Sequence, residues 1–521
     1  MAGTDSTKVT YVTLAGDEEA NASYDVAVQA VAASLGDVQP MWIDGASVAT
    51  HEHFVDTSPT DPSVVVARFP RGGREHVARA LEGAKRAAPG WAATPWDLRV
   101  AILRRAAERI SRRRTELAAL MSIEVGKNRL EAMGDAEEAA DLLRYYAQQI
   151  EDAGGFETPL AKLLPGEDTR SVLRPYGVFA VVAPFNFPLA LAAGMAGGAL
   201  VAGNAVVFKP SSEAPLTGLR LCQILNDAGL PPGVFQFVTG GGRDLGDAFL
   251  DPGFDGIVFT GSKEVGLDLH RRFGRDWPKP VIVEMGGKNP AIVTGSADLQ
   301  KAAEGVARSA FGYGGQKCSA CSRAYVAREV YDAFLERLVA VARGLTLGDP
   351  TERATYMGPL VTAKAKATHA AAHAEARRDG RIVFEGAVPS DPRLGRGHFA
   401  PPVVVDRLPD GHRIWKDELF APILAVAPVS SLDEAIARAN DTEYGLTAGI
   451  FSADDAENRT FFDRIEAGVT YANRRTGATT GAWPGVQSFC GWKASGSTGK
   501  GGCGPWYVQQ FLREQSRTIV R

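Results

Sequence analysis

Apolar positions along this chain change period at Val178, and the change separates two kinds of structure. From Asp97 to Ala153 they recur at helical spacing (Ile102, Leu103, Ala106, Ile110, then Leu117, Leu120, Met121), with arginine and glutamate on the other face. That pattern predicts surface helices packed on another layer. From Val178 onward, short continuous runs take over: Val178 to Ala183, Ala205 to Phe208, Val234 to Val238, Gly256 to Phe259, and Val281 to Glu284. Runs this short and apolar on both faces predict buried strands, and the roughly twenty to thirty residues between them leave room for a crossover helix in most cases. The expected architecture is a doubly wound parallel α/β sheet, with no repeat or low-complexity tract to compete with it.

In such sheets ligands bind beyond the carboxyl ends of the strands. The residues that follow the runs are therefore the candidate site: Pro184-Phe185-Asn186-Phe187-Pro188, Lys209-Pro210-Ser211-Ser212, Thr239-Gly240-Gly241-Gly242, Thr260-Gly261-Ser262, and Glu284. Gly261-Ser262 opens a helix running toward Phe273, whose free N–H groups and positive dipole end suit a pyrophosphate. Lys209 has the reach for ribose hydroxyls. No G-x-G-x-x-G fingerprint follows the first strand, and a glycine triplet ending at Gly242 mostly makes a turn, so a dinucleotide site rests on the whole set.

The sharpest chemistry lies in Gly315-Gln316-Lys317-Cys318-Ser319-Ala320-Cys321-Ser322-Arg323, where Cys318 stands among small and polar residues. This marks a nucleophile. Glu284 ends an apolar run, where burial raises a carboxyl pKa and makes a useful base. Each residue has an ordinary alternative: Asn186 could cap the next helix, Lys209 could be a solvated loop lysine, Glu284 a salt-bridged acid, Cys318 a small buried hydrophobe. Their coincidence at five strand ends and one cysteine favours the functional reading.

At 521 residues the chain exceeds what one core organises, so two or more domains are expected. A formal net charge of -4, with arginine clusters set beside acids, argues against a nucleic-acid or membrane surface as partner. The small-residue run from Leu189 to Leu200 is too short and glycine-rich to span a bilayer, and no basic region followed by an apolar core stands at the N-terminus, so a cytoplasmic location is expected. Five cysteines, at 222, 318, 321, 490 and 503, lack the dense spacing of a disulfide scaffold and indicate a reducing compartment. Cys318 and Cys321 have no second pair or histidines at metal spacing, so no metal is expected.

Pro184-Phe185-Asn186-Phe187-Pro188, Lys209-Pro210-Ser211, Phe259-Thr260-Gly261-Ser262, Glu284-Met285-Gly286-Gly287-Lys288-Asn289-Pro290, Gly315-Gln316-Lys317-Cys318 and Glu418-Leu419-Phe420-Ala421-Pro422 resemble, in order and spacing, the motifs of the aldehyde dehydrogenase superfamily. The resemblance covers nearly the whole chain. It implies an NAD(P)-binding domain (1–156 and 175–285), a catalytic domain (286–485), and an oligomerisation flap with a C-terminal strand (157–174 and 486–521) that pairs chains into a dimer or dimer-based oligomer. It implies that Cys318 attacks an aldehyde, that Asn186 and the Cys318 backbone N–H hold the oxyanion, and that Glu284 activates the hydrolytic water. Lys209 would bind the adenine ribose, Ser262 the pyrophosphate, Glu418 the nicotinamide ribose, and Phe420 would pack beside it. NAD-preferring relatives often carry an acid three residues after the lysine; this chain has Ser212 there, then Glu213, so NAD is favoured with NADP kept open.

Within the superfamily, Cys318-Ser319-Ala320-Cys321-Ser322-Arg323 and Asn473-Arg474-x-Thr476-Gly477-Ala478 resemble the 1-pyrroline-5-carboxylate dehydrogenases, with a dehydrogenase of another small aldehyde such as succinate semialdehyde as the alternative. The Ser319 hydroxyl and the backbone N–H groups of Gly477 and Ala478 would make a neutral nest for a substrate carboxylate. Ser488-Phe489-Cys490-Gly491 stands where these relatives commonly read Pro-Phe-Gly-Gly, and the added Cys490 side chain is expected to reshape the pocket mouth. No residue is assigned to a substrate amine, with Glu131 only a guess.

Overall fold

All five predicted runs form strands in the computed structural model, which describes residues 16–475 and 482–521. They lie side by side in the order Val281–Glu284, Gly256–Thr260, Val178–Val182, Ala205–Lys209, Phe235–Phe237, all parallel. The chain works outward in both directions from Val178–Val182, so the topological switch point falls between this strand and Gly256–Thr260. Two short antiparallel strands, Met41–Ile43 and Ala46–Val48, extend the far edge to give seven.

A second seven-stranded sheet runs Arg381–Glu385, Val403–Asp406, Ile423–Val429, Cys321–Ala327, Asn289–Val293, Thr447–Phe451, Val469–Ala472, parallel except for its first strand. Cys318 lies just before its central strand. A third, antiparallel sheet joins Leu512–Val520 to Glu167–Pro175 and Glu157–Pro159, and its outer strand is exposed along nearly its whole length.

The helical region resolves into Trp96–Arg112, Arg114–Val125 and Arg129–Asp152. The last differs from a surface helix: Ala132, Ala136, Ala139, Leu143 and Ala147 are fully buried against the alanine- and glycine-rich helix Ala190–Val201, whose small residues permit a close approach. The stretch between the two main sheets and the C-terminal strand is stitched over the base-bearing strand. Met285 N–H donates to the Ser495 carbonyl at 2.8 Å, the Ser495 hydroxyl to the Gly286 carbonyl at 2.7 Å, and the Ser497 hydroxyl to the Val281 carbonyl at 2.7 Å.

Candidate active site

Helix Leu299–Phe311 ends in the turn Gly312–Gly315, where Tyr313, Gly314 and Gly315 take φ of 50°, 62° and 70°. A left-handed tyrosine is strained and needs outside support. Its hydroxyl donates to the Val125 carbonyl at 2.6 Å, and the buried Gln316 amide donates to Tyr313 and Pro359 carbonyls while accepting from Val361 N–H at 2.8 Å. Gly315 presses on the next loop: a Cβ there would fall 2.6 Å from the Ala421 carbonyl oxygen. Past the turn, the Asn289 amide donates to the carbonyls of Cys318 (2.8 Å) and Ala320 (2.9 Å) and accepts from Thr447 N–H. The half-buried Cys318 is thus presented by a loop clamped from four directions.

Two cavities meet at this thiol. The smaller is walled by Leu142, Tyr146, Phe187, Met195, Phe489 and Tyr507 and carries Cys318, Ser319, Glu284 and Glu138. The larger runs over the carboxyl ends of the first sheet and is lined by Asn186, Lys209, Ser212, Gly242, Gly261, Ser262, Glu418 and Phe420. Cys318, Thr260 and Met285 line both. Phe185, Asn186 and Phe187 divide between them: Phe185 and Asn186 face the groove, Phe187 the smaller cavity. Asn186 does not cap helix Ala190–Val201, whose Ala190 N–H donates instead to Asp135 at 2.7 Å.

Burial pushes the Glu284 carboxyl up to about 8, only partly offset by a hydrogen bond from the Gly491 backbone, and its Oε2 is buried without a partner. Burial pushes the Cys318 thiol up to about 12, with Glu418 and Glu284 adding to the shift and backbone N–H groups of Ser319 and Cys318 opposing it. As a nucleophile Cys318 would rest as a thiol, and attack would require loss of its proton.

The groove fits a dinucleotide. Ser262 caps helix Lys263–Phe273 with no side-chain hydrogen bond, leaving its first N–H groups open to the groove, where a pyrophosphate would be held. Lys209 is buried, its ammonium 3.0 Å from the Pro210 carbonyl and pushed down to about 8 by burial. Glu213, hydrogen-bonded by Ser211 at 2.5 Å, lines the groove beside Ser212. At the other end Glu418 accepts from Gly287 N–H at 2.8 Å, and Phe420 packs edge-on against Phe185 at 5.9 Å. Bare Gly286 permits this, since a Cβ there would overlap the Glu418 carboxylate.

Several features were not anticipated. Glu131 is paired with Lys317 at 2.8 Å, whereas Glu138 reaches the smaller cavity. The Asn289 clamp belongs to a quoted motif but was given no role, and only the fold shows what its amide holds. Cys490 stays out of the pocket mouth, its thiol turned to the Gly468 carbonyl at 3.4 Å, while Phe489 supplies the wall. Gly477 and Ala478 lie outside the described residues. Among the described residues no disulfide joins the cysteines, and no three His, Cys, Asp or Glu side chains gather as metal ligands.

Comparison with known proteins agrees with this geometry. The chain is 37% identical over 506 residues to the 1-pyrroline-5-carboxylate dehydrogenase of Geobacillus sp. (strain WCH70), covering 95% of each, and 36% identical to 1-pyrroline-5-carboxylate dehydrogenase 2 of Bacillus subtilis (strain 168), also covering 95% of each. The crystal structure of a Thermus 1-pyrroline-5-carboxylate dehydrogenase with bound NAD superposes over 100% of both chains at 35% identity and a TM-score of 0.93. Proline utilization A from Bdellovibrio bacteriovorus matches at 36% identity and a TM-score of 0.91, the chain spanning about half of that longer protein (52%). With residues 42–516 matching the aldehyde dehydrogenase family, and a nucleophile, a buried carboxylate and a dinucleotide groove converging on one thiol, the chain belongs to that family.

Proposed function

We propose that this enzyme oxidises L-glutamate γ-semialdehyde, the open form of 1-pyrroline-5-carboxylate, to L-glutamate, with NAD in the groove as hydride acceptor, as a step of proline breakdown. The observation that carries the substrate is the cavity on the far side of Cys318 from the groove, where Ser319 offers a neutral donor to the carboxylate at the far end of the semialdehyde.

Cys318 Sγ gives its proton to solvent water and attacks the aldehyde carbon, forming the C–S bond of a thiohemiacetal. Its oxyanion is held by the Asn186 amide and the Cys318 backbone N–H. NAD held in the groove would accept the hydride, and collapse of the oxyanion leaves a thioester on Cys318. Glu284 takes a proton from water, the resulting hydroxide adds to the thioester carbonyl, and the C–S bond breaks to release the carboxylate and the thiol. A base held near 8 is better matched to this task than an ordinary glutamate. Lys209, Ser212 and Gly242 would hold the adenosine half of NAD, Gly261 and Ser262 its pyrophosphate, Glu418 and Phe420 the nicotinamide ribose.

Within this reading the dinucleotide domain is 1–156 with 175–285, the catalytic domain 286–485, and the flap strands pair two chains into a dimer. Leu163, Leu164, Ile519 and Val520 at the flap, 53–87% exposed, support burial against a second copy. Cysteines held in no disulfide suit the cytoplasm. The decisive test is NADH formation from 1-pyrroline-5-carboxylate beside succinate semialdehyde and propanal. The first should be preferred, with activity lost in Cys318→Ala; equal or better rates with the others would keep the chemistry and overturn the substrate.

A further inference from the structure

Glu131, Asp135 and Glu138 stand at i, i+4 and i+7 on helix Arg129–Asp152 and so share one face. Glu138 reaches the substrate cavity; the other two turn onto buried cations. Glu131 Oε1 accepts from Lys317 Nζ at 2.8 Å, and Lys317 immediately precedes the nucleophile. Asp135 accepts from Lys127 Nζ at 2.6 Å and from Ala190 N–H at 2.7 Å, the amide that opens the helix after the Asn186 loop. The Phe187 ring lies between the two cations, its centroid 3.6 Å from Lys127 Nζ and 5.9 Å from Lys317 Nζ. Lys127, Asp135 and Lys317 side chains are essentially inaccessible.

Stability alone does not account for this arrangement. Desolvating two ion pairs costs much of what their attraction returns, and apolar residues of similar volume often hold such a core as well or better. The pairs do supply direction: short charge-assisted hydrogen bonds from one rigid helix to the two loops that carry the oxyanion donors. We propose that Lys317 and Asp135 are positioning residues, through which helix Arg129–Asp152 acts as a ruler setting the separation of the Asn186 amide and the Cys318 backbone N–H. The proposal rests on those two groups being the oxyanion donors.

The test is a mutant cycle between this network and Asn186. Replacing the outer pair by apolar residues, E131L with K317M, removes both charges together and leaves no buried ion unpaired. Its kcat should fall about ten- to a hundredfold, the effect of misplacing a reacting group by about an ångström, with the KM for NAD and the alkylation rate of Cys318 unchanged. Combined with Asn186→Ala, the same pair should lower kcat by less than about twofold further, because the separation it sets no longer matters. E131D keeps both charges and shortens the strut by one methylene; it should show a smaller loss and serves if the apolar pair does not fold. Wild-type kcat in these variants, or a full-sized loss on top of Asn186→Ala, overturns the ruler. Wild-type kcat in Asn186→Ala alone removes the oxyanion assignment and the ruler with it. A wrong substrate shows separately, as preference for another aldehyde, on which the cycle runs unchanged.

Discussion

The two cavities that meet at Cys318 are built in opposite ways. The coenzyme groove is made mostly of strand ends and the turns beside them, so most of its residues sit within a few positions of a strand that buries itself. The substrate cavity is made of side chains from distant stretches: Leu142 and Tyr146 from one helix, Met195 from another, Phe489 and Tyr507 from near the C-terminus. A groove of the first kind is fixed by local backbone, and one of the second kind by packing across the molecule. Coenzyme binding should therefore tolerate changes in the walls that alter substrate choice, and the reverse.

Mutations sharpen this contrast. The largest effect is expected at the junction. Glu284→Gln should lower steady-state turnover about 10²- to 10⁴-fold, while a first turnover still gives a burst of NADH because the thioester forms and then waits. Since the base works only when deprotonated, wild-type kcat should climb with pH through about 8, and this limb should vanish in the variant. Folding raises this carboxyl from its usual 4.5 to about 8, so the native protein keeps a proton that the unfolded chain releases. The resulting penalty is absent below 4.5 and grows as pH rises to 8, so Glu284→Gln should gain Tm at pH 8 relative to wild type and little at pH 4.

In the substrate cavity alone, Ser319→Ala should raise the KM for glutamate semialdehyde about ten- to a hundredfold, the worth of one hydrogen bond to a charged group. Propanal oxidation and the KM for NAD should hardly change; a matching rise in the KM for NAD would break the separation. The smallest effect is expected in the groove. Glu213→Ala removes the carboxylate beside Ser212 that would repel a 2′-phosphate, and should improve kcat/KM for NADP about five- to tenfold, read from parallel titrations with the two coenzymes.

The same contrast explains what the sequence discloses. The five parallel strands of the first sheet are largely buried on both faces and read as unbroken apolar runs, which also puts Asn186, Lys209, Ser262 and Glu284 at or near their ends. Strands of the second sheet are less plain. Cys321–Ala327 carries Arg323, 1% exposed, whose terminal NH groups donate to the Arg438 and Ala439 carbonyls far along the chain while its Nε is buried without a partner. Asn289–Val293 begins with an asparagine and a proline. Helix Arg129–Asp152 misleads for a related reason: its acids look like a solvated face, and nothing local shows that Lys127, Lys317 and a substrate cavity stand opposite them.

The C-terminal stretch stitched over the Glu284 strand has a consequence for how the enzyme is born. Asn186, Glu284 and Cys318 leave the ribosome early, yet the serines that fasten the Glu284 strand, and the Phe489 and Tyr507 parts of the cavity wall, belong to residues 489–507. At about 5–20 residues per second, synthesis leaves an interval in which the thiol exists without the last of its walls. A chain broken off between Cys318 and Phe489 would carry that thiol beside an open chamber.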